Sequence, residues 1–416
     1  MDKQSVISAN NKIFSQITPI IPTIQKVLVL YIILFTISPP LQLDNIYRIM
    51  LLGAVAFWFL LNIPHRVKFQ RIHALAFIFA ALVFVIAAFE SQGDWNNLLR
   101  PINLYLIVIC FLMAYCYKDR WHELSWIVPI VLILLTFFNF KTYSAIIENP
   151  DIARLIVRDD PSTYAYYRQG VGGYGLMYSQ VCALPMIVAW TFNAFRNGKI
   201  KFVIGFIWAI SYFVFLFNSG YTIAAVASIA GIIILFFYRR KSPVLAVIIT
   251  LLFILLMIRL IGYNTAVREW LLNFFDGTKV AKKIEDIYLS ITTEETADSI
   301  AERISRYQAS ISAILRYPVI GGLWFRQSGG GHSIILDIFA KYGLFGGYVF
   351  IKMAFGFTAE LKKYAQTIKD YRIANALFVV ALTVFLLDAF PLELAGMYFL
   401  VIPICYNDIS VRRKKT

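Results

Sequence analysis

One histidine and two arginines in the last third of the chain have types and spacing that suit phosphate and proton chemistry. Arg303 and Arg306 lie in the stretch 299–317, where apolar residues recur at helical spacing, so both arginines occupy one flank of an amphipathic helix. A guanidinium binds phosphate through two parallel hydrogen bonds and keeps its charge at any working pH. The same arginines could equally lie in water or on lipid headgroups, as on other amphipathic helices at a membrane surface.

His332 follows three glycines, 329–331, and precedes an apolar helix for which we expect Ser333 to be the N-cap. The N-terminus of a helix favours an anion and disfavours imidazolium, so a neutral imidazole is expected there at pH 7. The other three histidines lie in or beside basic connections: His65, His73 and His122. Although a lone histidine is more often structural, this position favours a role in proton transfer or phosphate binding for His332.

A third arginine, Arg168, adjoins a run of glycines within 170–175, beside tyrosines at positions 164, 166, 167 and 174. Such aromatic side chains suit a sugar-binding surface, but an aromatic belt at the membrane interface is the more common reason for them. The glycines do not form a dinucleotide fingerprint, because no strand precedes them.

The composition indicates which kind of secondary structure positions these residues. Of 416 residues, 59% are apolar and 15% are charged, and the mean hydropathy is +0.68. A soluble domain has about 45–50% apolar and about 25% charged residues. The composition therefore excludes an ordinary soluble enzyme and a disordered chain. It predicts an all-α, polytopic membrane protein that forms one membrane domain over residues 1–416.

Twelve apolar segments are long enough to be candidate transmembrane helices. They are approximately 22–39, 46–63, 72–89, 101–117, 121–140, 173–195, 201–217, 221–238, 243–263, 333–357, 373–389 and 392–407.

The formal net charge of +15 is concentrated in every second connection and in both termini. By the positive-inside rule these basic segments face the cytoplasm, and both termini do as well. Because this arrangement accounts for the excess positive charge, we expect no nucleic-acid partner.

The two long connections on the opposite side, 141–172 and 264–332, have balanced charges, and we expect them to contain short helices and to form a cap over an active site. No cysteine lies in either loop, and no cluster of residues has the spacing of a metal site.

The stretch 303–347 resembles the O-antigen polymerase and O-antigen ligase superfamily of bacterial envelope proteins. The family pattern is an arginine helix, P-x-x-G-x-G, His-Asn and a span with G-x-x-G. This chain has Arg303 and Arg306, then PVIGG at 318–322, then His332 and KYGLFGG at 341–347. The number of apolar segments and the large late outer loop also match, and the rest of the chain matches only in topology.

Three positions depart from that pattern. Leu323 stands at the second glycine of P-x-x-G-x-G, and Ser333 stands where the family often has Asn. Gly220 stands where many members, ligases among them, have an arginine. The missing arginine favours a polymerase over a ligase, and we expect Arg168 to replace its phosphate contact.

The resemblance implies a glycosyltransferase of the bacterial inner (plasma) membrane. It would polymerise undecaprenyl-diphosphate-linked repeat units of O-antigen or capsular polysaccharide on the extracytoplasmic face, without a cofactor or a metal ion. His332 would be the general base, and Arg306, Arg303 and Arg168 would bind the leaving diphosphate. His332 could instead bind the diphosphate, with Glu302 or Asp388 as the base. The expected partners are the lipid-linked glycan and the bilayer, with a chain-length regulator as a candidate.

Two other functions stay open. A ligase or O-oligosaccharyltransferase would use the same donor and move the glycan to lipid-A core or to a protein. An envelope transporter or flippase would tolerate the loss of His332 but would fail on changes at Lys341, the charge furthest from the ends of the predicted spans.

Overall fold

The chain is described by a computed structural model that covers residues 20–62, 71–91, 101–117, 120–150, 152–157, 161–197, 199–277, 279–292, 298–322, 329–363, 368–387 and 392–413. Every regular element in these ranges is helical, which confirms the predicted all-α class.

The first half of the chain forms helices α1 (Ile20–Ile37), α2 (Pro39–Leu43), α3 (Asn45–Asn62), α4 (Arg71–Ser91), α5 (Ile102–Cys116), α6 (Ile127–Glu148), α7 (Ile152–Val157), α8 (Tyr164–Arg168), α9 (Tyr174–Asn197) and α10 (Lys199–Ser219). The second half forms α11 (Thr222–Phe237), α12 (Pro243–Tyr263), α13 (Thr265–Phe274), α14 (Lys279–Thr292), α15 (Asp298–Arg316), α16 (Ile334–Lys363), α17 (Ile368–Leu387), α18 (Leu392–Gly396) and α19 (Ile402–Arg413). A π-helical turn, Met397–Val401, joins the last two.

The protein has the helices of a membrane protein. Seven stretches within the described residues are long and apolar enough to cross a bilayer: Ala74–Ser91, Ile127–Glu148, Tyr174–Phe195, Lys199–Ser219, Pro243–Tyr263, Ile334–Gly356 and Leu392–Ile409. Five shorter apolar helices accompany them: Ile21–Ile37, Ile46–Asn62, Ile102–Cys116, Ile223–Phe237 and Tyr371–Leu387. Each predicted apolar segment therefore coincides with an apolar helix.

Helix α9 lies at the centre of the bundle. It packs against α10, α11, α17, α18 and α19, and 72% of its apolar stretch is buried inside the protein. By contrast, only 17% of α12 is buried, so most of its apolar surface lies on the outside of the bundle.

One predicted segment is displaced along the chain. The apolar run at 121–140 predicts a helix from 121, whereas α6 spans Ile127–Glu148 and residues Trp121–Leu124 form a 3₁₀ turn. Pro129 explains the shift, because a proline is tolerated in the first turn of a helix and removes a backbone hydrogen bond further inside. The first long loop therefore begins with about two turns of helix.

Helix α16 was predicted as continuous over 333–357, but it is interrupted at Gly343, where φ is 69° and ψ is −171°. A regular helix would join the nitrogen of Leu344 to the carbonyl of Ala340. Instead, the nitrogen of Leu344 donates to Pro318 (2.7 Å), and the nitrogen of Gly322 donates to Ala340 (2.6 Å). The segment 318–322 thus provides partners for two backbone groups at the break, Leu344 N and Ala340 O.

The contacts show that the connections between helices lie at two opposite ends of the bundle. One end is held together by the basic connections: Lys26 pairs with Glu123 (3.0 Å), Lys201 pairs with Asp408 (3.0 Å), and Asn375 donates to the carbonyl of Arg240 (2.9 Å). The other end carries the two long loops together with the end of α17. The candidate site residues lie at this second end.

Candidate functional site

Three elements meet at the site: helix α15, the segment 329–333 and the end of α17. The hydroxyl of Tyr307 donates to the carbonyl of Leu387 (3.0 Å), and Nη1 of Arg303 donates to the same carbonyl (3.4 Å). Burial raises the pKa of Tyr307, so its hydroxyl remains protonated as a donor. These bonds attach α15 to the last residue of α17.

His332 lies immediately before α16, as predicted. The nitrogen of Leu336 donates to Oγ of Ser333 (3.3 Å), which confirms Ser333 as the N-cap. The same hydroxyl donates to the carbonyl of Phe385 (3.3 Å), so the cap also binds α17. His332 is therefore held between a capped helix and the glycine Gly331, whose φ is 80°.

The imidazole of His332 is half-buried beside both arginines of α15. Burial and the positive charges of Arg306 and Arg303 lower the pKa of His332, whereas Glu302 and Asp337 raise it. The lowering effects prevail, so the imidazole is neutral at pH 7. Its Nδ1 atom is buried and has no hydrogen-bond partner among the described residues.

Arg306 and Glu302 form an ion pair across one turn of α15, and 43% and 60% of their side chains are exposed. Ion pairs at such exposed positions stabilise a protein little. The guanidinium of Arg306 can therefore exchange Glu302 for an anionic ligand at a small energetic cost.

The glycines before His332 allow a close approach of backbones, but the partner is the protein itself. A Cβ atom at Gly330 would lie 1.9 Å from the carbonyl oxygen of Arg306, and one at Gly329 would lie 2.5 Å from a carboxylate oxygen of Asp337. These glycines therefore press the segment that carries His332 against α15 and α16, rather than against a ligand.

The sequence-predicted residues are thus partly brought together. His332, Arg303, Arg306 and Glu302 share one site, whereas Asp388 lies outside the described residues. Arg168, at the end of α8, forms an exposed ion pair with Asp44 (3.6 Å) beside α2.

Two tyrosines that the sequence does not point to, Tyr178 and Tyr221, cluster with Tyr174, one of the tyrosines singled out near Arg168. The rings of Tyr174, Tyr178 and Tyr221 contact one another, with centroids 4.5 to 6.2 Å apart. Tyr178 also lies within electrostatic range of Arg303 and Tyr307. No sequence signal could have placed Tyr178 or Tyr221 here, since both lie far along the chain from α15.

Comparisons with known proteins identify no family. Neither the scan against protein-family models nor the search of curated proteins produced a match. Among the residues that the structure describes, no group of three or more metal-binding side chains is present.

Proposed function

We propose that the protein is a membrane glycosyltransferase that polymerises undecaprenyl-diphosphate-linked oligosaccharide repeat units on the extracytoplasmic face of a bacterial inner membrane. The observation that supports this most is the pairing of a half-buried, neutral imidazole with two guanidinium groups at one end of an apolar helix bundle. A neutral base beside fixed positive charge is what glycosyl transfer from a lipid diphosphate needs.

The arginines stabilise the leaving group. As the bond between the anomeric carbon and the diphosphate oxygen breaks, negative charge grows on the diphosphate, and Arg303 and Arg306 are placed to bind it. Fixed guanidinium charge in this role makes the proposed reaction independent of a divalent cation.

His332 accepts the proton of the acceptor. A hydroxyl of the acceptor glycan attacks the anomeric carbon, its proton moves to the imidazole, and undecaprenyl diphosphate leaves with the electron pair of the broken bond. General-base catalysis of this kind contributes about 10²–10⁴-fold to a rate.

The proposal includes a topology of twelve spans with both termini in the cytoplasm. It combines the seven long helices with the five shorter apolar ones and places the basic end of the bundle in the cytoplasm. The end that carries His332 then faces the periplasm or the cell exterior, where lipid-linked repeat units are joined.

The turn between α10 and α11 supports a polymerase rather than a ligase. Gly220 has a φ of 69°, a conformation that an arginine would adopt only with strain. The phosphate contact that many ligases make from this position is therefore absent.

The test is the size of the product. Protein reconstituted in lipid and supplied with the native undecaprenyl-diphosphate repeat unit should yield a ladder with one-repeat spacing. The ladder should be lost in His332→Ala and retained in the control His122→Ala, which changes an exposed histidine at the other end of the bundle. Transfer of one finished glycan only after a lipid-A-core or protein acceptor is added would show a ligase. If no acceptor is glycosylated, the enzymatic proposal is wrong.

A further inference from the structure

The backbone on either side of His332 donates hydrogen bonds to one buried carboxylate. Asp337 lies in the first turn of α16 and is only 7% exposed. Its Oδ1 accepts from the nitrogen of Gly331 (3.1 Å), and its Oδ2 accepts from the nitrogen of Ser333 (3.3 Å). The carboxylate therefore holds the residue on each side of His332.

Ser310 extends this network to the arginine helix. Its hydroxyl donates to Oδ1 of Asp337 (2.7 Å) and accepts from the nitrogen of Gly330 (2.7 Å). Ser310 is 1% exposed and lies one turn after Arg306 on α15. A single pair of side chains thus links the helix that carries the arginines to the segment that carries the imidazole.

An acidic residue is needed at position 337 because every group around it is a donor. A carboxylate accepts from the hydroxyl and from both amides, and the positive end of the α16 dipole favours its charge. An asparagine of the same size would turn its amide group towards the nitrogen of Ser333, and two donors would then face each other. The capping bond to the nitrogen of Leu336 is made by the hydroxyl of Ser333 and does not involve Asp337.

We infer that Asp337 is a positioning residue that, together with Ser310, fixes His332 relative to Arg303 and Arg306. This inference rests on the proposed function for its effect on turnover, but the geometry that it describes can be tested without any glycan. Asp337 touches no reacting atom; it acts by holding the two segments that do.

The variants are Asp337→Asn, Ser310→Ala and the double variant, with Asp276→Asn as the matched control, an exposed aspartate in the turn after α13. Each is first checked for folding by size-exclusion chromatography and thermal unfolding in detergent. If Asp337→Asn fails to fold, Ser310→Ala, which removes only one hydroxyl, carries the test.

The turnover number should fall about 10- to 100-fold in each single variant, while KM for the lipid-linked donor changes less than about threefold, since the arginines remain. The double variant should be no slower than the slower single variant, because both changes break one network. A similar loss in Asp276→Asn, or a rise in KM as the main effect, would contradict a positioning role.

The pH profile provides a second readout. Among the described residues, the charged groups that act on His332 are Arg306, Arg303, Glu302 and Asp337. Asp337→Asn removes one of the two acids, so the acid limb of kcat/KM should move to lower pH. An unchanged acid limb would overturn the inference.

The third readout needs no activity. In a chain whose other three histidines are replaced by asparagine, diethyl pyrocarbonate should modify His332 slowly, because its segment is held and Nδ1 is buried. Modification should accelerate at least about fivefold in Asp337→Asn and Ser310→Ala. Equal rates in all variants would show that the network does not position His332. If the variants are modified faster but the protein has no transferase activity, this inference stands and only the proposed function is contradicted.

Discussion

At the residue scale, burial and the charges on α15 together set the protonation state of His332. Burial and both arginines lower the pKa of the imidazole, and Glu302 partly opposes them from the same helix. Because the two arginines also face the proposed diphosphate, one pair of side chains would serve both the leaving group and the base. The position of His332 before a helix predicts a neutral imidazole from the helix dipole, and the structure adds burial and the guanidinium charges as causes.

The change Glu302→Gln distinguishes His332 from Glu302 as the base. If His332 is the base, the variant should stay active, and the acid limb of kcat/KM should move to lower pH, because a group that raises the pKa of His332 has been removed. In the unaltered protein this limb should already lie below the ordinary histidine value of about 6.5. The measurement is a pH–rate profile, with exposed Glu269→Gln on α13 as the control. Complete loss of transfer would instead identify Glu302 as the base.

The change Arg306→Lys tests bidentate phosphate binding. An ammonium group keeps the charge but cannot form the planar pair of hydrogen bonds, and one charge-assisted bond contributes about 1.5–3 kcal/mol, so transfer should slow roughly 10- to 100-fold. Steady-state rates are compared with those of Arg316→Lys, an exposed arginine at the end of the same helix. Near-normal rates in Arg306→Lys would argue against two-point recognition of the diphosphate.

At the element scale, the break in α16 depends on close backbone contact between two glycines, Gly343 in α16 and Gly321 in the segment 318–322. A Cβ atom at Gly343 would lie 2.2 Å from the carbonyl oxygen of Val319, and one at Gly321 would lie 2.1 Å from that of Lys341. Both residues have positive φ angles, 69° and 81°. The sequence does not predict this break, since the apolar run continues through it and hydropathy does not report backbone conformation. The arginine helix, in contrast, was predicted almost to the residue from its apolar periodicity.

The substitution Gly343→Ala should destabilise the protein by at least about 2 kcal/mol, because it adds a Cβ atom at a positive φ and against a backbone carbonyl. The control lies in the same helix: Gly356→Ala meets open space and should be neutral or stabilising by up to about 1 kcal/mol. Unfolding midpoints in detergent provide the comparison. Equal midpoints for the two variants would mean that α16 does not break at Gly343.

At the scale of the whole molecule, the site depends on contacts between distant parts of the chain. Helix α15, the end of α17 and the start of α9 converge because the bundle packs around α9. Charge alternation predicts that these connections share one side, but it does not predict which side chains meet there. The residues Arg303, Arg306 and His332 could be identified beforehand by type and spacing, whereas Tyr178, Tyr221 and the carbonyl of Leu387 could not.

The proposed topology predicts which side of the membrane labels a new cysteine. In a Cys116→Ser background, whose three other cysteines are buried, an impermeant maleimide should label Gln308→Cys on intact spheroplasts. Lys199→Cys, at the start of α10, should be labelled only after the membrane is opened. The opposite pattern would place the His332 end of the bundle in the cytoplasm.

The meeting of Gly321 and Gly343 has an evolutionary consequence. A side chain at either position collides with the backbone that carries the other, so neither glycine can be replaced while its partner keeps this backbone. The two positions should therefore change together in evolution. Among descendants of this sequence, glycine should be kept at both positions or lost from both. A lineage that replaces the segment 318–322 should also restore a regular helix through position 343, with the hydrogen bond from residue 344 to residue 340 regained.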